Sequence, residues 1–372
     1  MKFTVQKADI LDVLSKIQGL TGRKSNLAIT SNVLIKAGGS KISITATDLE
    51  TGFEGTYPAK VDSEGVIVIS SRKLFEIVRD FPIESINIHE VEKRWIMIGN
   101  QNIEYHIVGM NPDDFPEIPQ ITEVGFFNMT SEALKRMIDQ TTVIASSSDD
   151  KRAHIIGVFI EKIDVDGQKL IRMVSTDGSR LSKVDYALDK EDDPDLGNGI
   201  LVPKKGLAEV GKFLEPQGPI QVGYKDNHFI VKKGMETIII RLLEGEFPEY
   251  SDIVEKNKGN VLILDRIQFQ SMLKRMSIFS SESYKGVIFN IYEDKLQISS
   301  TNPDIGDSKE IMNIEFSGDP VEVAFNPRYF IETLGVMEDE NILLHIINEE
   351  NPCIVEGDKN KTYLSVIMPM RI

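Results

Sequence analysis

Three stretches of the chain carry buried-type residues at helical spacing. Ile10, Val13, Leu14 and Ile17 form the first, Leu134, Met137, Ile138 and Thr141 the second, and Phe269, Met272, Leu273 and Met276 the third. Each follows the i, i+3, i+4, i+7 rule that lays one face of a helix on a core. Most of the remaining chain alternates in short runs, as strands do: "KISITATD", "ESINIHEV", "RWIMIGN" and "IEYHIVGM" early, "PIQVGYKDNHFIVKKG" in the middle, "KLQISST" and "ILLHIINEENPCIVEGD" late. Polar turns at Lys225-Asp226-Asn227 and Glu349-Glu350-Asn351 separate strand pairs, as in hairpins. A second helix is predicted over "SRKLFEIVRDF" (71–81), "PKKGLAEVGKF" (203–213) and "NPRYFIETLGV" (326–336). The pattern predicts an α+β fold, two helices over mostly antiparallel sheet, three times over.

The repetition is in register. Phe115, Phe247 and Met368 precede Pro116, Pro248 and Pro369, at separations of 247 − 115 = 132 and 368 − 247 = 121 residues. "ATDLE" (46–50), "STDGSRL" (175–181) and "STNPDIG" (300–306) recur with Asp48, Asp177 and Asn302 spaced 177 − 48 = 129 and 302 − 177 = 125. With the second-helix segments, three marker sets run in one order at one period, which is the signature of internal duplication. Three homologous domains are expected, 1–124, 125–253 and 254–372. No Gly/Ser-rich or Pro-rich linker parts them, so they are expected to abut.

Composition narrows the function. The 372 residues are 41% hydrophobic and 27% charged, a globular balance. No apolar run reaches the roughly 18 residues of a membrane span, and "MKFTVQKADI" has no secretory h-region. A single cysteine, Cys353, excludes an internal disulfide, fits a reducing cytoplasm and reads as a buried small residue. His89, His106, His154, His228 and His345 are scattered without metal-ligand spacing. No nucleophile motif, Walker loop or dinucleotide fingerprint is present. Asp177 and Arg180 resemble an acid–base pair, but an Asp-Gly turn is the simpler reading. No cofactor, metal or catalytic activity is expected.

Charge adds one oddity. The net charge of −16 argues against a protein held on nucleic acid by bulk attraction. Yet the second helices begin with Arg72 and Lys73, with Lys204 and Lys205, and with Arg328. Cations there oppose the helix dipole by about 0.3–1 kcal/mol each, unless an anion such as phosphate waits outside. Arg79 and Lys212 extend the stripe, and Lys135–Arg136 and Lys274–Arg275 lie off the apolar faces of the first helices. A solvated face neutralised by Glu76, Asp80, Glu209 and Glu332 explains the same residues equally well. The apolar end, "SVIMPMRI", likewise reads as a buried tail or as the wall of a binding site.

The "MKFTV" start, "ATDLE", "STDGSRL", "EGEFPEY" and the "MPMRI" end resemble one family along the whole chain: the bacterial DNA polymerase III beta subunits, the sliding clamps of replication. The resemblance implies three similar domains per chain and a homodimer closed head to tail into a ring. Helices would line the hole and sheet the outside, so the acidic balance could sit on the rim. It implies topological, sequence-independent binding to double-stranded DNA and no chemistry. Its partners would be the replicative polymerase, the clamp loader and other proteins with a clamp-binding motif, in the cytoplasm on the nucleoid.

The resemblance also nominates residues. A partner-peptide cleft would use Ile155, Thr176, Gly178, Ser179, Arg180, Leu181, Pro248, Ile253, Val366, Ile367, Met368, Pro369, Met370 and Arg371. Methionines suit a surface that accepts several partners. DNA would be faced by Arg23, Lys24, Arg72, Lys73, Arg79, Lys151, Arg152, Lys204, Lys205, Lys212 and Arg328. The dimer seam would join Tyr105 and Ile107 to Ile278 and Phe279. Ser179 stands where relatives often have His, Asp252 where some are basic, and Ala153 and His154 where some have DNA-stacking aromatics. A clamp-like scaffold that does not encircle DNA and a carboxylate-metal nuclease are the competing functions.

Overall fold

Sheet dominates the chain, and every strand pairing among the described residues is antiparallel. The structure is a computed structural model that describes residues 1–22, 27–119, 121–145, 150–215, 217–255, 259–279, 286–304 and 306–371. The chain divides into two compact units. One comprises Met1–Lys135, Asp192–Asp195 and Lys205–Leu242; the other comprises Arg136–Glu191, Leu196–Lys204 and Leu243–Ile372. No helix among the described residues is long and apolar enough to cross a membrane.

The first unit holds a five-stranded and an eight-stranded sheet. In the five-stranded sheet, Lys2–Gln6 lies between Lys60–Ser63 and Ser85–Glu92, and Trp95–Gly99 and then Glu104–Val108 follow outward. The eight-stranded sheet joins four strands of the first repeat to four of the second. Its central junction pairs Thr51–Pro58 with Glu236–Arg241, Ile238 opposite Phe53. Asp226 and Asn227 sit at φ 47° and 63° between the paired Lys225 and His228. That is the two-residue hairpin expected from the turn residues, since Asn and Asp tolerate the left-handed region.

The second unit repeats the design. Its eight-stranded sheet joins second-repeat to third-repeat strands by pairing Arg180–Ala187 with Tyr363–Ile367. Its four-stranded sheet runs Gly306–Asn313, Lys295–Asn302, Val287–Ile291, Val321–Phe325. The two eight-stranded sheets therefore place equivalent strands of successive repeats side by side. Their counterparts, Glu104–Val108 and Gly306–Asn313, are sheet edges among the described residues.

The helices follow the apolar stripes. Ile10, Val13, Leu14 and Ile17, then Leu134, Met137, Ile138 and Thr141, then Phe269, Met272, Leu273 and Met276 are all buried. They lie in or at the end of Lys7–Lys16, Ser131–Thr142 and Arg266–Met276. The second helices are Ser71–Asp80, Lys204–Phe213 and Pro327–Gly335. In the second unit, Ser175 and Ser182 donate from the sheet to the carbonyls of Thr141 and Gln140, at 2.6 and 2.5 Å. Thr333 meets Ser365 at 3.1 Å. Such buried hydroxyl contacts fix helices to a sheet where an unpaired polar group would be costly. Cys353 is buried, and burial alone pushes its thiol well above the usual range, so it packs as a small hydrophobe.

Candidate functional site

The turn "STDGSRL" anchors a cleft of about 220 Å³ in the second unit. Asp177 Oδ1 accepts from the backbone of Ser179 (2.9 Å) and Arg180 (3.1 Å), closing an Asx turn. Gly178 takes φ 88° there, open to a residue without Cβ. Asp48 repeats the device on Glu50 and Thr51, and Asn302 on Asp304. The shared Asp or Asn is therefore a turn former in every repeat. In the second repeat it also pairs with Arg180 Nε at 3.0 Å.

The chain end supplies the facing wall. Val366 lies opposite Leu181 and Ile367 opposite Arg180, and Met368 N–H donates to Ser179 O at 2.9 Å. Val174, Leu181, Tyr250, Ile354 and Val366 form a buried floor, with Phe159, Phe247, Val254 and Leu364 packed on it. Phe247 stacks on Phe159 with ring centres 5.1 Å apart and meets Tyr250 edge-on. The Tyr250 hydroxyl bonds to Glu161; burial first, and that carboxylate next, push its pKa well up, so it remains a neutral donor. Met368 and Ile253 are partly exposed at the lip, an apolar rim over an apolar floor.

Of the residues nominated for a partner cleft, Ile155, Thr176, Gly178, Arg180, Leu181, Pro248, Ile253, Val366 and Met368 line this cavity. Ser179, Ile367, Pro369, Met370 and Arg371 do not. Strand alternation turns Ile367 inward, where it is fully buried. Met370 N–H leaves the cleft to bond Ala324 O at 2.8 Å, against the four-stranded sheet. Arg152, His154, Phe247, Glu249 and Tyr250 also line the cavity, although sequence reasoning left them out or, for Arg152, placed them on DNA. The "FPEY" segment held the available signal, because a whole loop rather than its proline alone folds over the floor.

In the first unit, Thr47, Leu49, Gly52, Pro116, Ile118 and Ile239 line the repeat's counterpart, only about 70 Å³. There Ile118 crowds the face of Gly52, so a Cβ on Gly52 would stand 2.9 Å from Ile118 Cδ1. The chain fills with its own isoleucine what it leaves open in the second unit.

The basic helix starts are answered by carboxylates. Arg72 and Lys73 hold Glu76 at 2.9 and 2.8 Å, Arg79 holds Asp80 at 2.9 Å, Lys212 holds Glu209 at 2.7 Å and Arg328 holds Glu332 at 2.6 Å. Hydrogen bonds from Lys73 and Arg72 keep Glu76 below its ordinary pKa, and those from Arg152 hold Asp150 at about 2. Exposed pairs such as those of Arg72, Lys73 and Arg79 contribute little, so these cations can exchange partners for phosphate at small cost, whereas Lys212 neutralises a Glu209 whose side chain is only 4% exposed. Lys205 and Lys151 are exposed. Arg23 and Lys24 lie outside the described residues. At the seam positions, Tyr105 is 43% and Ile278 70% exposed, with Ile107 and Phe279 half-buried.

Lys204 corrects the expected DNA face. It is 7% exposed, and its Nζ donates to Ile155 O at 2.7 Å, behind the cleft. Desolvation lowers its pKa from 10.5 to about 8, opposed by Asp177. It braces the cleft and is not a surface cation. Because the unfolded chain binds this proton more tightly, Lys204 burdens stability fully below pH 8 and is relieved as pH rises towards 10.5. The stability of the wild type relative to Lys204→Met should therefore rise by about 3 kcal/mol across that window. Urea midpoints at pH 7 and 10 check this; a pH-independent difference contradicts it.

Among the described residues, no group of three His, Cys, Asp or Glu side chains could hold a metal. Known proteins match along nearly the whole chain. Residues 1–119 match the N-terminal domain, 128–249 the central domain and 252–371 the C-terminal domain of the DNA polymerase III beta subunit. The chain is 28% identical over 374 residues to the beta sliding clamp of Pseudomonas aeruginosa and 27% over 376 to that of Pseudomonas putida, covering 100% of each partner and of itself. The crystal structure of the Pseudomonas aeruginosa DNA polymerase III subunit beta matches at TM-score 0.92 and 26% identity. That of the Bartonella birtlesii sliding clamp bound to griselimycin matches at 0.92 and 25%, and both cover 100% of both chains. Three domain matches in order, full-length relatives and the same fold lead to one conclusion: the chain belongs to the DNA polymerase III beta subunit family, the bacterial sliding clamps.

Proposed function

We propose that two copies of this chain close head to tail into a ring around duplex DNA, and that the cleft behind Arg180 tethers short peptide segments of the replicative polymerase, the clamp loader and other DNA-processing proteins. The ring works without catalysis, as a processivity factor in the cytoplasm on the nucleoid. Its domains are 1–124, 125–253 and 254–372.

The observation that carries the ring is the pattern of strand junctions. Thr51–Pro58 with Glu236–Arg241, and Arg180–Ala187 with Tyr363–Ile367, join successive repeats inside the chain. The next junction in the series needs Gly306–Asn313 and Glu104–Val108, which are both edges among the described residues. Edge strands with open backbone groups seek partners. A second chain meets that need twice, once at each end, and the symmetric closed solution is a dimer. Tyr105, Ile107, Ile278 and Phe279 supply apolar contact at that seam.

The cations at Arg72, Lys73, Arg79, Lys151, Lys205, Lys212 and Arg328 act as a weak, sequence-blind guide on the DNA, and Arg152 lies between this role and the cleft. Retention on closed circular duplex, lost when the circle is cut, is the experiment that tests this reading.

A further inference from the structure

Arg180 is the deepest charge in the cleft, and its three nitrogens are treated differently. Nε donates to Asp177 Oδ2 at 3.0 Å. Nη2 stands 2.7 Å from Glu332 Oε2, an ion contact without hydrogen-bond alignment. Nη1 is buried with no hydrogen-bond partner among the described residues. The guanidinium lies 4.4 Å from the centre of the Tyr329 ring, and the side chain is only 4% exposed. A buried donor without a partner is unfavourable. The guanidinium is therefore held by its charge contacts more than by hydrogen bonds, and its position depends on the carboxylates beside it.

Glu332 serves two arginines. Its Oε2 faces Arg180, and its Oε1 holds Arg328 Nε at 2.6 Å. Asp177, Arg180, Glu332 and Arg328 thus form a line of two anions and two cations, with the Lys204 ammonium behind Asp177. Its inner end is closed to solvent, whereas Arg328 is 74% exposed. Taking the Arg328 charge away makes the surroundings of the cleft more negative by one charge.

We propose that Glu332 is a positioning residue of the peptide cleft, which fixes Arg180 in the cleft wall and makes the cleft's hold on acidic peptides depend on Arg328. This rests on the reading of the cavity as a peptide cleft. Arg328 is not a lining residue of the cavity, so its influence passes through Glu332, whose Oε1 it holds. An anion that engages Arg328 from solvent is felt at the cleft by the same route.

The test is calorimetry with a pentapeptide of two leucines, one phenylalanine and one aspartate among its residues, and with its asparagine counterpart. Arg328→Ala should weaken the aspartate peptide about threefold, within what an exposed pair contributes, and leave the asparagine peptide nearly unchanged. In a Glu332→Gln background, Arg328→Ala should change neither, the non-additivity expected of groups in one network. The Arg328→Ala arm stands by itself if Glu332→Gln folds poorly. Unchanged affinity for the aspartate peptide in Arg328→Ala, or equal weakening of both peptides, overturns the coupling while the cleft reading survives. A wild-type chain that binds neither peptide overturns both.

Discussion

Replacing Ile278 and Phe279 together by glutamate is expected to leave a folded single chain of 41.8 kDa where the wild type sediments at 2 × 41.8 = 83.6 kDa. Ile278 is 70% exposed in the isolated chain, so its substitution removes little from the fold itself. Phe279 gives up a carbonyl bond from Asn302 Nδ2 at 3.2 Å only if the backbone moves, because that contact is to its main chain. At the proposed seam, however, the two carboxylates would be pressed against Tyr105, Ile107 and the exposed Val108 of the other copy. Burying a charge without a partner costs several kcal/mol. The charge nearby is mostly acidic, with Glu104 on the same strand and Asp304, Asp307 and Glu310 against a single Lys309 on the other side. Arg275 is engaged by Glu310. A dimer that depends on strand pairing and a small apolar contact should not survive that cost. Sedimentation at micromolar concentration decides it, and an unchanged dimer removes these residues from the interface.

Deleting residues 368–372 should abolish peptide binding, a loss of at least about tenfold, while the dimer persists. The strand Tyr363–Ile367 stays paired to Arg180–Ala187 and to Cys353–Gly357, so the sheet keeps its register. What goes is the Met368 wall of the cleft and the two backbone bonds from Met368 to Ser179 and from Met370 to Ala324. A shallow trough over Leu181 and Val366 remains, open to water on one side. Apolar ligands gain from enclosure at about 25 cal/mol per Å² of buried surface, so a lost wall is a direct loss of affinity. Calorimetry with a peptide from a bacterial replicative polymerase is the measurement. Full-strength binding by the shortened chain would mean that the tail only packs.

The repeats, the apolar stripes and the hairpins were legible because each rests on local spacing. Ile10, Leu134 and Phe269 announce buried helix faces, and Asp226-Asn227 announces its turn. The sheets that pass from one repeat into the next were not legible. Nothing in Thr51–Pro58 names Glu236–Arg241 as its neighbour, since pairing between distant strands is a tertiary choice. For the same reason the compact units cut across the sequence repeats. The cleft was legible mainly through family resemblance, and the nominated residues outside the cavity lining are placed there by backbone geometry. Ile367 turns inward by strand alternation, and Met370 bonds its backbone to Ala324. Lys204 looked like its neighbour Lys205, but it sits on the inward side of the helix's first turn, where Ile155 O takes the ammonium.

The central claim is that the protein stays on DNA by enclosing it. Ordinary phosphate binding weakens by about one log unit of affinity per log unit of salt for each phosphate neutralised, and a chain of net charge −16 has little bulk attraction to fall back on. A closed ring on a closed circle escapes only by opening a seam. The decisive measurement is retention on nicked circular duplex after loading, followed at moderate salt before and after a single cut elsewhere in the circle. Persistence on the circle and rapid loss after linearisation is the predicted result. Equal retention on circular and free-ended DNA would contradict it and leave simple charge binding in its place.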